Sequence, residues 1–151
     1  IDLLINNAGI LGKETLGSID YEIMQKVFSV NALAPLRVTE ALLANMGPGS
    51  KIALITSRMG SIEDNTSGRN YDYRMSKAAL NMAGKTLAVD LAEEGIPVGI
   101  YHPGFVQTDM VGGMGDITPD TAAERISERI KELNLNNSGS FWHSKGDLLP
   151  W

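Results

Sequence analysis

Residues 71–77 read Tyr71-Asp72-Tyr73-Arg74-Met75-Ser76-Lys77 and stand at the mouth of a long helical run. Positions four apart share one face of an α-helix, so Tyr73 and Lys77 present a phenol and an ammonium side by side. A free Tyr, with a pKa of about 10, is a poor base at neutral pH. A neighbouring cation favours the phenolate and lowers that value. The pair is therefore a candidate acid/base unit for a proton moving at a carbonyl or alcohol oxygen. Tyr71 has Met75 at its own fourth position and lacks such a partner. A Tyr and a Lys at this spacing also occur by chance on solvated helix faces, so the flanking sequence has to decide.

Immediately upstream, Lys51–Thr56 contains the continuous apolar run Ile52-Ala53-Leu54-Ile55, the pattern of a parallel strand buried on both faces. It ends at Thr56-Ser57. A Ser just past the carboxyl end of such a strand stands where open α/β sheets bind ligands, although a plain turn Ser reads the same way. The polar stretch 63–70 is a surface loop. Downstream, the helix is expected to run from 71–74 to Glu94, before Gly95-Ile96-Pro97. Ala78, Ala79, Met82, Ala83, Leu87 and Leu91 form a stripe suited to close packing on a sheet or a twin helix. Val98–Tyr101 is another apolar strand, ending at His102-Pro103-Gly104. His102 reads as a packed turn residue. With no second His, Asp or Glu at ligand spacing around it, no metal site is expected.

Farther out, Ile1–Asn6 is an apolar run expected to be a buried strand, and it stops at Asn6-Asn7-Ala8-Gly9, where Asn7 is equally a turn residue. Ser18 or Asp20 caps the next helix, with Glu22 in its first turn. Ile23, Val27, Val30 and Leu33 follow at helical spacing, and the pattern resumes through Val38, Ala41, Leu42 and Met46. Pro35 interrupts it. Lacking an N–H, Pro35 frees the carbonyl of Asn31, four residues back, and predicts a kink there. At the other end, Val111-Gly112-Gly113-Met114-Gly115 lacks the G-x-G-x-x-G spacing and is expected to be a mobile loop near the site. Thr118 caps a helix with Pro119 at its first position. Ala122, Ile126, Ile130 and Leu133 form its apolar face, and Ser140–His143 is a short last strand. Leu148, Leu149 and Trp151 close the chain as anchors, expected against a neighbouring helix or subunit. Strands alternating with long helices define an α/β fold with a parallel sheet.

The formal charge of −5 and the lack of a basic run argue against a nucleic-acid partner. The absence of Cys excludes disulfides and thiolate chemistry and is compatible with a reducing compartment; a cytoplasmic location is expected. No uninterrupted apolar run reaches the ~20 residues of a membrane span, so no membrane partner is expected. Ile1–Ile5 lacks the length and basic flank of a signal peptide, and the chain opens in mid-strand without Met. Its natural start is expected upstream.

The polar turns at the three strand ends should meet on one edge of the sheet, with Tyr73 and Lys77 between the second and third. N-N-A-G at 6–9, the helix Asn31, S-x-x-G at 57–60, Y-x-x-x-K at 73–77 and P-G-x-V-x-T at 103–108 occur in one order along the whole chain. In this the chain resembles the short-chain dehydrogenase/reductase family. Residues 55–62, 102–110 and the ending Leu149-Pro150-Trp151 resemble its C-factor/sniffer-type carbonyl reductases. The resemblance implies an oxidoreductase moving hydride between NADP or NAD, NADP slightly favoured, and a small-molecule carbonyl or alcohol, with a homo-oligomer in the full-length form.

It also implies roles. Tyr73 is the acid that protonates the carbonyl oxygen, and Lys77 lowers its pKa and binds the nicotinamide ribose. Ser57 holds the substrate oxygen, and Asn31 holds, through its backbone, a water joining Lys77 to solvent. Asn7, Ala8 and Gly9 line the ribose side, while Pro103, Gly104, Val106 and Thr108 cradle the nicotinamide. Residues 1–151 would be the C-terminal portion of a single Rossmann domain, strands four to seven of a doubly wound sheet of seven. The family's T-G-x-x-x-G-x-G turn and its NAD/NADP selector are not in this sequence. A catalytically inactive half-domain, or an interaction or signalling protein that keeps the motifs, is therefore the alternative expectation. The edge of the first strand would be exposed and prone to pairing.

Overall fold

Strand β2 (Lys51–Ile55) sends alternate side chains to opposite faces, and each set meets its own helix. Ile52 and Leu54, with Val98 of β3 (Val98–His102), pack against Leu80 and Ala88 of helix α3 (Tyr71–Asp90) and against Leu91 and Ile96. Ala53 of β2 and Tyr101 of β3 pack against Ile126 and Ile130 of α4 (Pro119–Glu132). The result, in this computed structural model of all 151 residues, is an α/β fold with a helix layer on each side of a sheet. The sheet holds four strands in the order β1-β2-β3-β4, where β1 is Leu3–Asn6 and β4 is Phe141–His143. All three pairings are parallel, with Ile5 opposite Ala53, Leu54 opposite Ile100 and Tyr101 opposite Trp142. This register brings the carboxyl ends of all the strands to one edge.

Two glycines set how closely the layers approach. A Cβ on Gly84 of α3 would lie 2.8 Å from the side chains of both Ile100 and Leu54, so only a bare Cα lets the helix sit this near the sheet. On the other face the Tyr101 ring lies across Gly99, and its hydroxyl donates to the Arg129 carbonyl at 3.3 Å.

The caps fall where the sequence puts them. Asp20 accepts from the Glu22 and Ile23 N–H groups at the start of α1 (Tyr21–Phe28). Thr118 accepts from the Thr121 N–H, with Pro119 at the first position of α4. Upstream of Pro35 the helix changes type where a kink was expected. Ser29–Leu33 widens into a π-helical turn, the Ala34 N–H reaching back to Ser29 O, before α2 (Ala34–Leu42) continues. The π-helix is rare and occurs mostly as single turns inside α-helices, as here just before Pro35.

Several expectations are corrected. Helix α3 ends at Asp90, and 91–95 form turns rather than helix. Its buried face is Asp72, Ser76, Lys77, Leu80, Asn81, Gly84 and Ala88, whereas Met82 of the expected stripe is 67% exposed. The face toward the sheet is small and polar because it also delivers side chains to the strand ends. Strand β1 is not buried: as an edge it leaves Leu3 and Ile5 more than 40% exposed. The C-terminal anchors fold back on the chain's own sheet. His143 N–H donates to Asp147 O and Leu149 N–H to Phe141 O, both at 2.8 Å, and Trp151 stacks on Phe141 at 5.5 Å. Finally, Tyr21–Asn45 taken as one helical run of 25 residues is long and apolar enough, by length and composition alone, to cross a membrane. Its apolar residues are interspersed with polar ones, so no uninterrupted run showed this. Within it Val27, Asn31, Ala32, Pro35 and Thr39 are buried, while Tyr21, Ile23, Leu33, Leu36 and Val38 are exposed.

Candidate active site

One cavity of about 1150 Å³ opens at the carboxyl ends of β1, β2 and β3. Asn7, Ala8, Gly9, Ser57, Tyr73, Lys77, Pro103, Gly104, Val106 and Thr108 all line it. The four segments that carry these residues are far apart in sequence, and the parallel register gathers them. Asn31 alone of the predicted set does not face the cavity; it lies behind the lining with no exposed surface.

Lys77 lies at the cavity floor beside Tyr73. Its side chain is buried, its Nζ donates to the Ile55 carbonyl at 3.0 Å, and it stands 5.6 Å from the centre of the Tyr73 ring. Burial pulls its pKa down to about 8, because an ammonium loses hydration there. One of its three donors is used on Ile55, which leaves the others for the cavity. Gly9 stands across from it. A Cβ on Gly9 would sit 3.5 Å from Lys77 Nζ and from Asn31 Oδ1, so the bare Cα keeps a cradle open at the ammonium. A hydroxyl-bearing group such as a ribose fits a site with free ammonium donors beside a bare backbone.

Tyr73 departs from the expectation. Burial pushes its pKa up from 10, and the Ser57 hydroxyl opposes that shift. The expected lowering by Lys77 is not seen: loss of water around the phenolate is the largest influence, with the Lys77 ammonium 5.6 Å from the ring centre. Tyr73 is thus held as a neutral O–H donor, the state an acid needs. Ser57 caps the short turn Arg58–Gly60, its Oγ accepting from Met59 N–H at 3.1 Å. That turn lies flat on α3: a Cβ on Gly60 would come within 2.8 Å of the Lys77 backbone. The Gly of the S-x-x-G motif therefore sets the distance between the Ser and Tyr segments.

Sequence reading missed three features. The Asn31 side chain is a clamp: its Oδ1 accepts from Ile10 N–H at 2.8 Å, and its Nδ2 donates to Ile10 O at 2.9 Å and to Ser76 Oγ at 3.0 Å. The Pro35 argument concerned only its backbone. His143 lines the cavity edge-to-face with His102, ring centres 5.0 Å apart. Burial, with the neighbouring His143 and Arg58, drops His102 to about 3, and His143 is lowered for the same first reason. Both imidazoles are neutral at physiological pH. The third feature is the loop 105–117, which is pinned at its base rather than merely glycine-rich. Gln107 N–H donates to Ile117 O at 3.0 Å, Asp116 N–H to Phe105 O at 2.8 Å, and the Gln107 amide to Gly115 O at 3.2 Å. The register of a short parallel bridge could not be read from Gly-rich sequence.

The fold and this constellation define a class, and comparison with known proteins agrees. The family described as short chain dehydrogenase matches residues 1–118, and the chain belongs to that family. C-signal of Myxococcus xanthus is 45% identical over 154 residues, a match that covers the whole chain and 93% of that protein. Among solved structures, the carbonyl reductase Sniffer of D. melanogaster superposes with a TM-score of 0.93 at 33% identity. The NADPH-bound carbonyl reductase from chicken fatty liver does so with a TM-score of 0.91, also at 33% identity. In both cases the whole chain is covered but only 66% of the solved protein, so the chain spans about two thirds of these reductases.

Proposed function

We propose that the protein carrying this chain reduces small carbonyl compounds with NADPH or NADH, and that residues 1–151 are the C-terminal part of its single Rossmann domain. The observation that carries this reading is the convergence of the Tyr73 phenol, the Ser57 hydroxyl and the Lys77 ammonium in one cavity at the strand ends. The nicotinamide, when bound, supplies the hydride. Lys77 and Gly9 hold its ribose, with Asn7 and Ala8 beside them. Pro103, Gly104, Val106 and Thr108 form the opposite wall at the end of β3. Ser57 holds the substrate oxygen within reach of Tyr73, and Tyr73, neutral because it is buried, gives that oxygen its proton. Lys77 with its depressed pKa is the next proton source behind Tyr73. NADPH is favoured over NADH on the likeness to the NADPH-bound chicken enzyme.

A second reading has its own support. The chain covers 93% of C-signal, so that relative is of comparable length, and a protein that acts by interaction rather than turnover would keep the same fold. Titrating the protein with NADPH and NADH, following nicotinamide fluorescence, separates the two. Saturable binding that weakens when Lys77 becomes Met supports the reductase. No binding of either nucleotide at millimolar concentration leaves the interaction reading in its place.

A further inference from the structure

Asp72 belongs to none of the motifs above, yet it is buried to 1% exposure one residue before Tyr73. Its two carboxylate oxygens accept backbone N–H groups from the segment that follows β1: Gly12 at 2.6 Å and Glu14 at 2.8 Å. The same segment is held again by the Tyr71 N–H, which donates to Glu14 O at 3.0 Å. Asn31 takes the next anchor along, both backbone groups of Ile10, and passes the contact through Ser76 Oγ to Tyr73 O at 2.8 Å. Residues 12 and 14 are thus tied directly to the first turn of α3, and residue 10 through Asn31 to its second. A carboxylate accepting two amide bonds is a strong and directional anchor. There is no slack in the fit, because a Cβ on Gly12 would lie 2.8 Å from Asp72 Oδ2 and 2.5 Å from Ile23. Residues 7–9, on one wall of the cavity, lead directly into this stitched segment, and Tyr73 and Lys77 follow Asp72 on the other.

We infer that Asp72 is a positioning residue, fixing the Asn7–Gly9 wall against the helix that carries Tyr73 and Lys77, so that a nicotinamide ribose finds its cradle preformed. The inference rests on the functional reading given above. Asp72→Asn is close to isosteric but turns an NH₂ group toward one of the two amide N–H groups, losing one charge-assisted bond and setting donor against donor. In the protein that carries this chain, the KM for NADPH rises about tenfold or more, the loss of roughly one such bond. At saturating NADPH, kcat and the KM for the carbonyl substrate change much less. Amide exchange at Gly12 and Glu14 accelerates, while Leu80–Ala88 inside α3 keep their protection. Gly12→Ala pushes the segment off the intact carboxylate and gives the same split; it decides the matter if Asp72→Asn yields no folded protein. A variant whose kcat falls with an unchanged KM for NADPH shows only lost folded protein and overturns the inference, as does faster exchange at residues 12 and 14 with no change in that KM. A wild-type protein that oxidises no NADPH with any carbonyl fails differently: it removes the reductase reading itself, and the positioning role with it.

Discussion

Replacing Gly60 by Ala is a sharp test of how the site is assembled. A Cβ there would stand 2.8 Å from the Lys77 carbonyl carbon, 2.9 Å from its oxygen and 3.0 Å from Ala78 N, where ordinary contacts begin at 3.4 Å. All three neighbours are backbone in the second turn of α3, so no side chain can swing away. The turn Arg58–Gly60 has to move outward by about half an ångström. Overpacking of this kind costs about 1–3 kcal/mol. At an m-value of roughly 1–3 kcal/mol per molar urea, that lowers the unfolding midpoint by about 1 M. The move also carries Ser57 away from Tyr73, and since misplacing a reacting group by an ångström costs about a hundredfold, a loss of about tenfold in kcat is expected. Urea unfolding followed by circular dichroism and steady-state kinetics measure the two effects. Gly47→Ala is the control, because nothing lies within 4 Å of a Cβ there. If Gly60→Ala matches Gly47→Ala in both midpoint and turnover, the claim that this glycine sets the Ser57–Tyr73 spacing is wrong.

Two further predictions concern pH. The pKa of Lys77 is about 8 in the folded chain against 10.5 unfolded, so between these values the unfolded state binds the extra proton and stability rises with pH. From pH 8 to 9.5 this adds about 1.5 kcal/mol that Lys77→Met should lack, and equal slopes in wild type and variant would refute the buried ammonium. Tyr73 and Tyr101, both raised by burial, oppose this only above pH 10, where their folded-state preference for the protonated form is lost as it would be in no exposed Tyr. His102 has the depressed pKa of a buried imidazole, about 3 against 6.5, so its share of stability is present above 6.5 and drains away as pH falls toward 3. Between pH 7 and 5 the loss is about 2 kcal/mol. Urea midpoints of His102→Gln should fall less steeply over that interval, and an unchanged slope would show that His102 is solvated.

The strands and caps were legible because their causes are local. Ile52–Ile55 and Val98–Tyr101 are apolar without alternation, as buried parallel strands must be, and Asp20, Thr118 and Pro119 act within one helical turn of themselves. The lining of the cavity was legible for a different reason: parallel strands send all their carboxyl ends to one edge, so polar turns after apolar runs had to meet. What escaped depends on contacts between distant residues. Asp72 meets Gly12 and Glu14 about sixty positions away, and no spacing within α3 announces it. The same holds for His143 meeting His102 across β3 and β4. The inward face of α3 was not legible because apolar periodicity finds the more apolar face, while this helix turns its small and polar face inward to reach the site. The direction of the Tyr73 shift required knowing its burial, which a pairing rule for Tyr and Lys does not contain.

The most direct measurement follows the hydride. The protein is incubated with NADPH deuterated at the transferable position of the nicotinamide C4 and with a panel of aldehydes, ketones and quinones, and the products are analysed by mass spectrometry. Transfer of deuterium to the carbonyl carbon of an aldehyde or ketone by the wild-type protein, lost when Tyr73 becomes Phe, is the predicted result. Deuterium in the alcohol from both proteins alike, or from neither, would contradict the assignment of Tyr73 as the acid of a carbonyl reductase.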